Sequence, residues 1–179
     1  GGLNRYDGYS FKIFTTDPQD SSAISSNSLS NLLEDSKGRL WIGTYDGGVN
    51  VYNKKTGRFL RITQASGLSS NRVEATMVAL PDGQILVNPQ GGSLSIISLP
   101  DEGKPVITPL NIPGGRTADW IFKDEKGFIW IKCTDNSIFI FNPAMPGFEI
   151  LYDGHRFPRL IEKTGRFVSA KFSQALSTK

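Results

Sequence analysis

The sequence is poor in the residues on which most protein chemistry depends. One cysteine, Cys133, and one histidine, His155, stand in 179 residues. A lone cysteine excludes an internal disulfide and is neutral between oxidising and reducing compartments. One histidine with one cysteine cannot furnish a tetrahedral metal set, so neither a metal nor another cofactor is expected. A Ser-His-Asp relay would have to use His155, which sits in a connection flanked by Gly154 and Pro158 with no nucleophile motif beside it. No apolar run approaches the roughly 18 residues of a membrane span, which excludes direct membrane insertion of this stretch. An initiating Met and a charged-then-apolar leader are both missing, so the expectation is a piece of a longer protein. Apolar spacings of three and four, the mark of helical repeats, are missing too.

What is present is turns and short β-rich runs. Nineteen glycines and ten prolines break a chain that is 38% hydrophobic and 11% aromatic, enough to bury a core. Residues 34–59, EDSKGRLWIGTYDGGVNVYNKKTGRF, hold three strand-like segments and two turn signals. At an offset of 89 the pattern recurs without a gap: Asp124 falls on Asp35, Gly127 on Gly38, Trp130 on Trp41, Phe141 on Tyr52, Asn142 on Asn53 and Phe148 on Phe59. A degenerate copy lies between, with Pro81-Asp82-Gly83 at the turn and Gly91-Gly92 at the glycine pair. Gly38 to Gly83 is 45 residues and Gly83 to Gly127 is 44. Such a period with several short strands per unit indicates a β-propeller, one blade per repeat. The expected fold is all-β, a propeller segment of four-stranded antiparallel blades, about three full and two half.

The string ED-x-x-G-x-LWIGT-x-x-GG-x-x-x-YN-x-x-TG-x-F resembles the two-component regulator propeller repeat. That resemblance implies the extracytoplasmic sensor region of a membrane-spanning hybrid histidine kinase of the Bacteroidetes type, which detects glycan breakdown products. It therefore implies a periplasmic location and a signal passed to a kinase elsewhere in the chain.

In order along the chain, residues 1–16 form a half blade, since Gly1 to Asp7 match Gly47 to Asn53 at a shift of 46. Full blades follow at 28–63, 72–110 and 118–152, and a half blade at 158–179. The inner strand of the second blade is expected over 73–80. Residues 17–27, rich in serine, read as a polar loop. The second strands, Leu40-Trp41-Ile42 and Phe128 to Ile131, are continuous apolar runs, which calls for burial on both faces. Trp41 and Trp130 are accordingly blade packing, and Cys133 a buried small hydrophobe.

The Asp-x-x-Gly turns have a local role. Asp35 with Gly38 and Asp124 with Gly127 supply an early acceptor and a late positive φ, and Gly83 marks the same turn in the second blade. These turns are read as surface features, which argues against paired-carboxylate chemistry. Any ligand belongs at the opposite end, where second-to-third-strand loops and entries to the inner strands converge. The candidates there are Tyr45, Asp46, Arg72, Asn88, Gln90, Arg116, Thr134 and Asp135. Amides, hydroxyls and carboxylates suit sugar hydroxyls, and arginine would suit a uronate or sulfate.

The +3 formal charge is uneven, with +5 from Arg156 onward. These basic residues are spread rather than clustered and read as a solvated edge, not a nucleic-acid surface. Expected partners are the remaining blades of the parent chain or a second copy, and an oligosaccharide ligand. The segment itself is expected to do no chemistry. The alternatives are a fragment of a lyase- or hydrolase-type propeller enzyme and a purely protein-binding propeller. The two half blades are expected to leave an arc, or an oligomer, without a ladder between Leu3–Tyr6 and residues 167–170.

Overall fold

The computed structural model describes residues 1–74, 77–144 and 148–152. Fourteen strands and two single 3-10 turns, at Gln64–Ser66 and Pro113–Gly115, make up its regular structure. Strands β1 (Leu3–Tyr6) and β2 (Phe11–Phe14) pair as a two-stranded sheet. The first four-stranded sheet is β3 (Leu29–Glu34), β4 (Leu40–Thr44), β5 (Val49–Asn53) and β6 (Arg58–Ile62). The second is β7 (Val78–Ala79), β8 (Ile85–Val87), β9 (Leu94–Ser98) and β10 (Val106–Leu110). The third is β11 (Ala118–Lys123), β12 (Ile129–Cys133), β13 (Ile138–Phe141) and β14 (Phe148–Tyr152). Every pairing is antiparallel and each sheet runs in chain order from its first strand to its fourth, the arrangement of propeller blades.

The sheets stack face to face, and each contact between neighbours is an apolar layer. Leu3 and Phe14 of the two-stranded sheet meet Ile42, Tyr52 and Phe59 of the first four-stranded sheet. Phe14 sits edge-on to Tyr52 and Phe59, with ring centroids 5.2 and 5.4 Å apart. Trp41, Val49 and Val51 look the other way, onto Ile85, Val87 and Ile97. Leu86 and Leu94 continue the series by facing Ile121, Ile129, Ile131 and Phe139. Alternate side chains of one strand thus enter two different cores, the period-2 consequence of strand geometry.

Four sequence expectations are corrected. Among the described residues the inner strand of the second sheet pairs over Val78–Ala79 rather than across 73–80. Its entry is committed elsewhere: the Val73 amide donates to the Thr44 carbonyl, and the Val73 carbonyl accepts the Ser30 hydroxyl. The loop 17–27 is not wholly polar in its role, because Ile24 is fully buried against the first sheet. Burial on both faces holds for β4 but not for β12, where Ile129, Ile131 and Cys133 are buried while Trp130 and Lys132 are half-buried. Neighbouring sheets cover β4 on both sides, whereas the described residues cover β12 on one.

Asp35 is the fourth correction, for it is no surface residue. Its carboxylate accepts the Trp41 indole N–H at 2.9 Å, the Arg39 guanidinium at 2.6 Å and the backbone amides of Lys37 and Arg39, each at 2.9 Å. The side chain is 1% exposed. Burial pushes its carboxyl up, and these hydrogen bonds outweigh that and hold it below the ordinary 3.8. Asp124 repeats the device, taking the Trp130 indole at 2.9 Å and the amides of Lys126 and Phe128.

At the opposite face of the two-stranded sheet, Tyr6, Phe11 and Ile13 are 58, 69 and 63% exposed. The segment 167–170, expected not to pair with β1, lies outside the described residues, as do the half blade 158–179 and His155.

Candidate functional site

The three four-stranded sheets share one construction at the end where their first strands begin. The amide of the second-to-third-strand loop donates to the carbonyl at the strand entry: Tyr45 to Ser28 at 3.1 Å, Gln90 to Arg72 at 2.7 Å, Thr134 to Thr117 at 3.0 Å. Bonds between sheets hold these units side by side, with the Gly48 amide donating to the Asn71 carbonyl and the Asn88 amide group to that of Asp119. Gly48 must be glycine here, since its φ is +75° and a Cβ would lie 2.3 Å from the Ile62 carbonyl oxygen.

All eight candidate residues lie in these loops and entries, but the structure joins few of them directly. Tyr45, Asp46, Gln90 and Thr134 are exposed at loop tips. Asn88 is only 2% exposed, and its Oδ1 has no hydrogen-bond partner among the described residues. Arg72 carries an ion pair with Glu74 on the same entry segment. Arg116 and Asp135 form a second pair at 2.8 Å, with side chains 14 and 16% exposed. Arg116 also donates to the Pro113 carbonyl and lies over the Phe139 ring. Burial raises the Asp135 carboxyl, and hydrogen bonds from the Ser137 amide and hydroxyl, with the Arg116 charge, outweigh it and hold it below 3.8.

Residues at this end that the sequence reading passed over complete a polar arc. Ser30 and Asn31 reach the Val73 carbonyl of the next sheet. Lys132 pairs with Asp119 across β12 and β11. The signal for the latter was available, since Lys132 is a single charge inside the apolar run Ile129–Cys133. Ser30 and Asn31 gave none: they find room because Gly43 opposite has no side chain, a Cβ there falling 2.7 Å from the Asn31 amide.

Two clefts are lined wholly by described residues. One, of about 320 Å³, lies at this same end between the loop 91–94 and the connection 110–117. It is lined by Gly91, Gly92 and Gly115, by the polar Ser93, Asn111 and Thr117, by the apolar Leu94, Leu110 and Ile112, and by Arg116. The other, of about 650 Å³, lies at the turn end between the first two sheets. Lys37, Arg39 and Lys54 on its rim are held by Asp101, Asp35 and Glu34.

Nothing at either end assembles a catalytic set among the described residues. No group of three or more His, Cys, Asp or Glu side chains is placed to hold a metal there. Burial, with Asp135 nearby, pushes the Cys133 thiol up to about 11, far from a reactive thiolate. No helix of the described residues is long and apolar enough to cross a membrane.

Residues 23–46 match the two component regulator propeller family. No curated protein matches the chain. Among solved structures, the extracellular domain of BT3049 from B. thetaiotaomicron, described as a hybrid two component system, is 27% identical with a TM-score of 0.65. The match covers 83% of this chain and 20% of that one. The extracellular domain of BT4673 from the same organism, also described as a hybrid two component system, is 20% identical with a TM-score of 0.60, covering 82% and 21%. Virginiamycin B lyase from Staphylococcus aureus shares the fold at 17% identity and a TM-score of 0.55, covering 80% and 45%. The chain thus spans about a fifth of the length of the two extracellular domains. It is a β-propeller segment that carries a two component regulator propeller repeat and is similar to the extracellular domains of two component systems.

Proposed function

We propose that this segment belongs to the periplasmic sensor of a membrane-bound hybrid two component receptor, recognises glycan breakdown products and signals to a histidine kinase elsewhere in the protein. The observation that carries the reading is the likeness to the BT3049 extracellular domain over 83% of the chain, with the repeat at residues 23–46 inside it. The strand-entry end supports it chemically. Exposed Tyr45, Gln90 and Thr134 offer a ring face, an amide and a hydroxyl, the groups that pair with sugar rings and their hydroxyls. In this reading the segment binds and does not catalyse, and the oligosaccharide meets it at that end.

Further blades of the same protein, or a second copy of the segment, cover the exposed face of Tyr6, Phe11 and Ile13. The enzyme alternative draws on a likeness to the lyase at 17% identity, which reaches the fold alone. Calorimetric titration of the whole sensor region against glycan fragments tests the proposal. Saturable binding with the saccharide recovered intact is expected. Turnover of the saccharide would favour the enzyme reading instead, and the absence of any saccharide binding would remove the sensor reading.

A further inference from the structure

The two candidate arginines at the strand-entry end, and Lys132 beside them, each already hold a carboxylate. Arg72 is paired with Glu74, Arg116 with Asp135 and Lys132 with Asp119, and Asp46 adds a further exposed negative charge. An arginine at such a place would ordinarily point to an acidic ligand, because its planar fork matches a carboxylate or sulfate. Here that fork is occupied. Arg116 spends its Nε on Asp135 and an Nη1 on the Pro113 carbonyl, and its guanidinium plane lies 5.4 Å from the Phe139 ring centroid. An anionic sugar entering beside it would have to displace a largely buried carboxylate, or sit next to it and be repelled.

The adjoining cleft has the opposite character. Ser93, Asn111 and Thr117 line it and make no side-chain hydrogen bond or ion pair among the described residues, so two hydroxyls and an amide there are uncommitted. A Cβ at Gly91 or Gly115 would meet nothing within 4 Å, so the backbone there is open to close approach. Leu94, Leu110 and Ile112 supply an apolar lining. Neutral donors and acceptors beside an apolar surface suit a sugar ring, whose faces are C–H and whose rim is hydroxyl. At about 320 Å³ the cleft is at the small end of ligand sites, room for one or two sugar units.

We infer that the cleft between the loop 91–94 and the connection 110–117 is a subsite for an uncharged sugar unit, with Ser93, Asn111 and Thr117 as its polar contacts and the Arg116–Asp135 pair as a guard against acidic sugars. The inference rests on the proposed saccharide-sensing role and narrows it to neutral glycans.

The experiment is a calorimetric titration of the full sensor region with two probe sets, neutral xylo-, arabino-, cello- and malto-oligosaccharides on one side and oligogalacturonides and heparin-derived fragments on the other. Binding of a neutral member is expected. Asn111→Ala should weaken it roughly five- to tenfold, the effect of one lost hydrogen bond, without change in melting temperature. Binding confined to acidic members would overturn the inference and leave the sensing role standing. Binding of a neutral member that is unchanged by Asn111→Ala and by Thr117→Val would move the subsite elsewhere and overturn it too. Failure of both probe sets would remove the sensing role itself, and the inference with it.

Discussion

The first and second four-stranded sheets solve the same packing problem with different chemistry. Superposing their registers sets Asp35, Arg39 and Trp41 against Leu80, Gln84 and Leu86, since Asp35 stands opposite Arg39 as Leu80 stands opposite Gln84. In the first sheet a buried carboxylate satisfies an indole, a guanidinium and two amides. The second drops carboxylate, cation and indole together, and Leu80 and Leu86 join one apolar core. Only the backbone turn is kept, with Gly38 and Gly83 at φ +71° and +82°. Removing one member of a buried polar set strands its partners, while replacing the set by apolar groups of similar shape is close to neutral. The degenerate repeat is therefore a coherent alternative, not a decayed copy.

The largest effect that follows is on Asp35. Asp35→Ala leaves Trp41 and Arg39 without their acceptor, and a loss of about 3–5 kcal/mol in chemical denaturation is expected. Asp124→Ala should cost less, about 1–3 kcal/mol, because position 128 is Phe and supplies no cation to strand, and Trp130 is half-buried. Equal losses at the two sites would break the comparison.

A sharper test transplants one solution into the other sheet. The triple change Asp35→Leu, Arg39→Gln, Trp41→Leu should cost less than the sum of its three single changes, by about 1–3 kcal/mol. The smaller Leu86-like side chain leaves some cavity, so full recovery is not expected. Strict additivity would show that the three residues do not act as a set.

The smallest effect is on acid stability. The folded Asp35 pKa lies below its unfolded value near 3.8, so its contribution is complete above 3.8 and is lost as pH falls through the folded value. The stability difference between the natural sequence and the triple variant should be flat above pH 3.8 and shrink below it. A difference that grows toward acid would contradict the assigned direction.

Much of the fold was legible because the repeat carries its own registration. The apolar run Leu40-Trp41-Ile42 lies within the strand Leu40–Thr44, between turn residues whose chemistry is local. Legibility ends where a residue's surroundings depend on side-chain packing rather than on the local turn. Nothing near Arg116 signals Asp135, and the turn motif alone reads Asp35 as a surface group, because its turn role is local while its burial depends on the Trp41 and Arg39 side chains. The expected inner strand 73–80 differs from the structure at its start, where Val73 bonds to the preceding sheet. At the candidate site the sequence marks loops but not clefts, because one cleft forms between the first two four-stranded sheets and the other between the loop 91–94 and the connection 110–117, segments about 20 residues apart in the chain.

The most direct test of the functional account is amide shift mapping of the isotope-labelled protein during titration with the neutral oligosaccharide that binds the sensor region. The account predicts that shifts concentrate in the loop 91–94 and the connection 110–117, with smaller changes at Tyr45 and Thr134 on the same end. Shifts concentrated instead at the turn end, around Lys37, Lys54, Lys55 and Arg58, would contradict it.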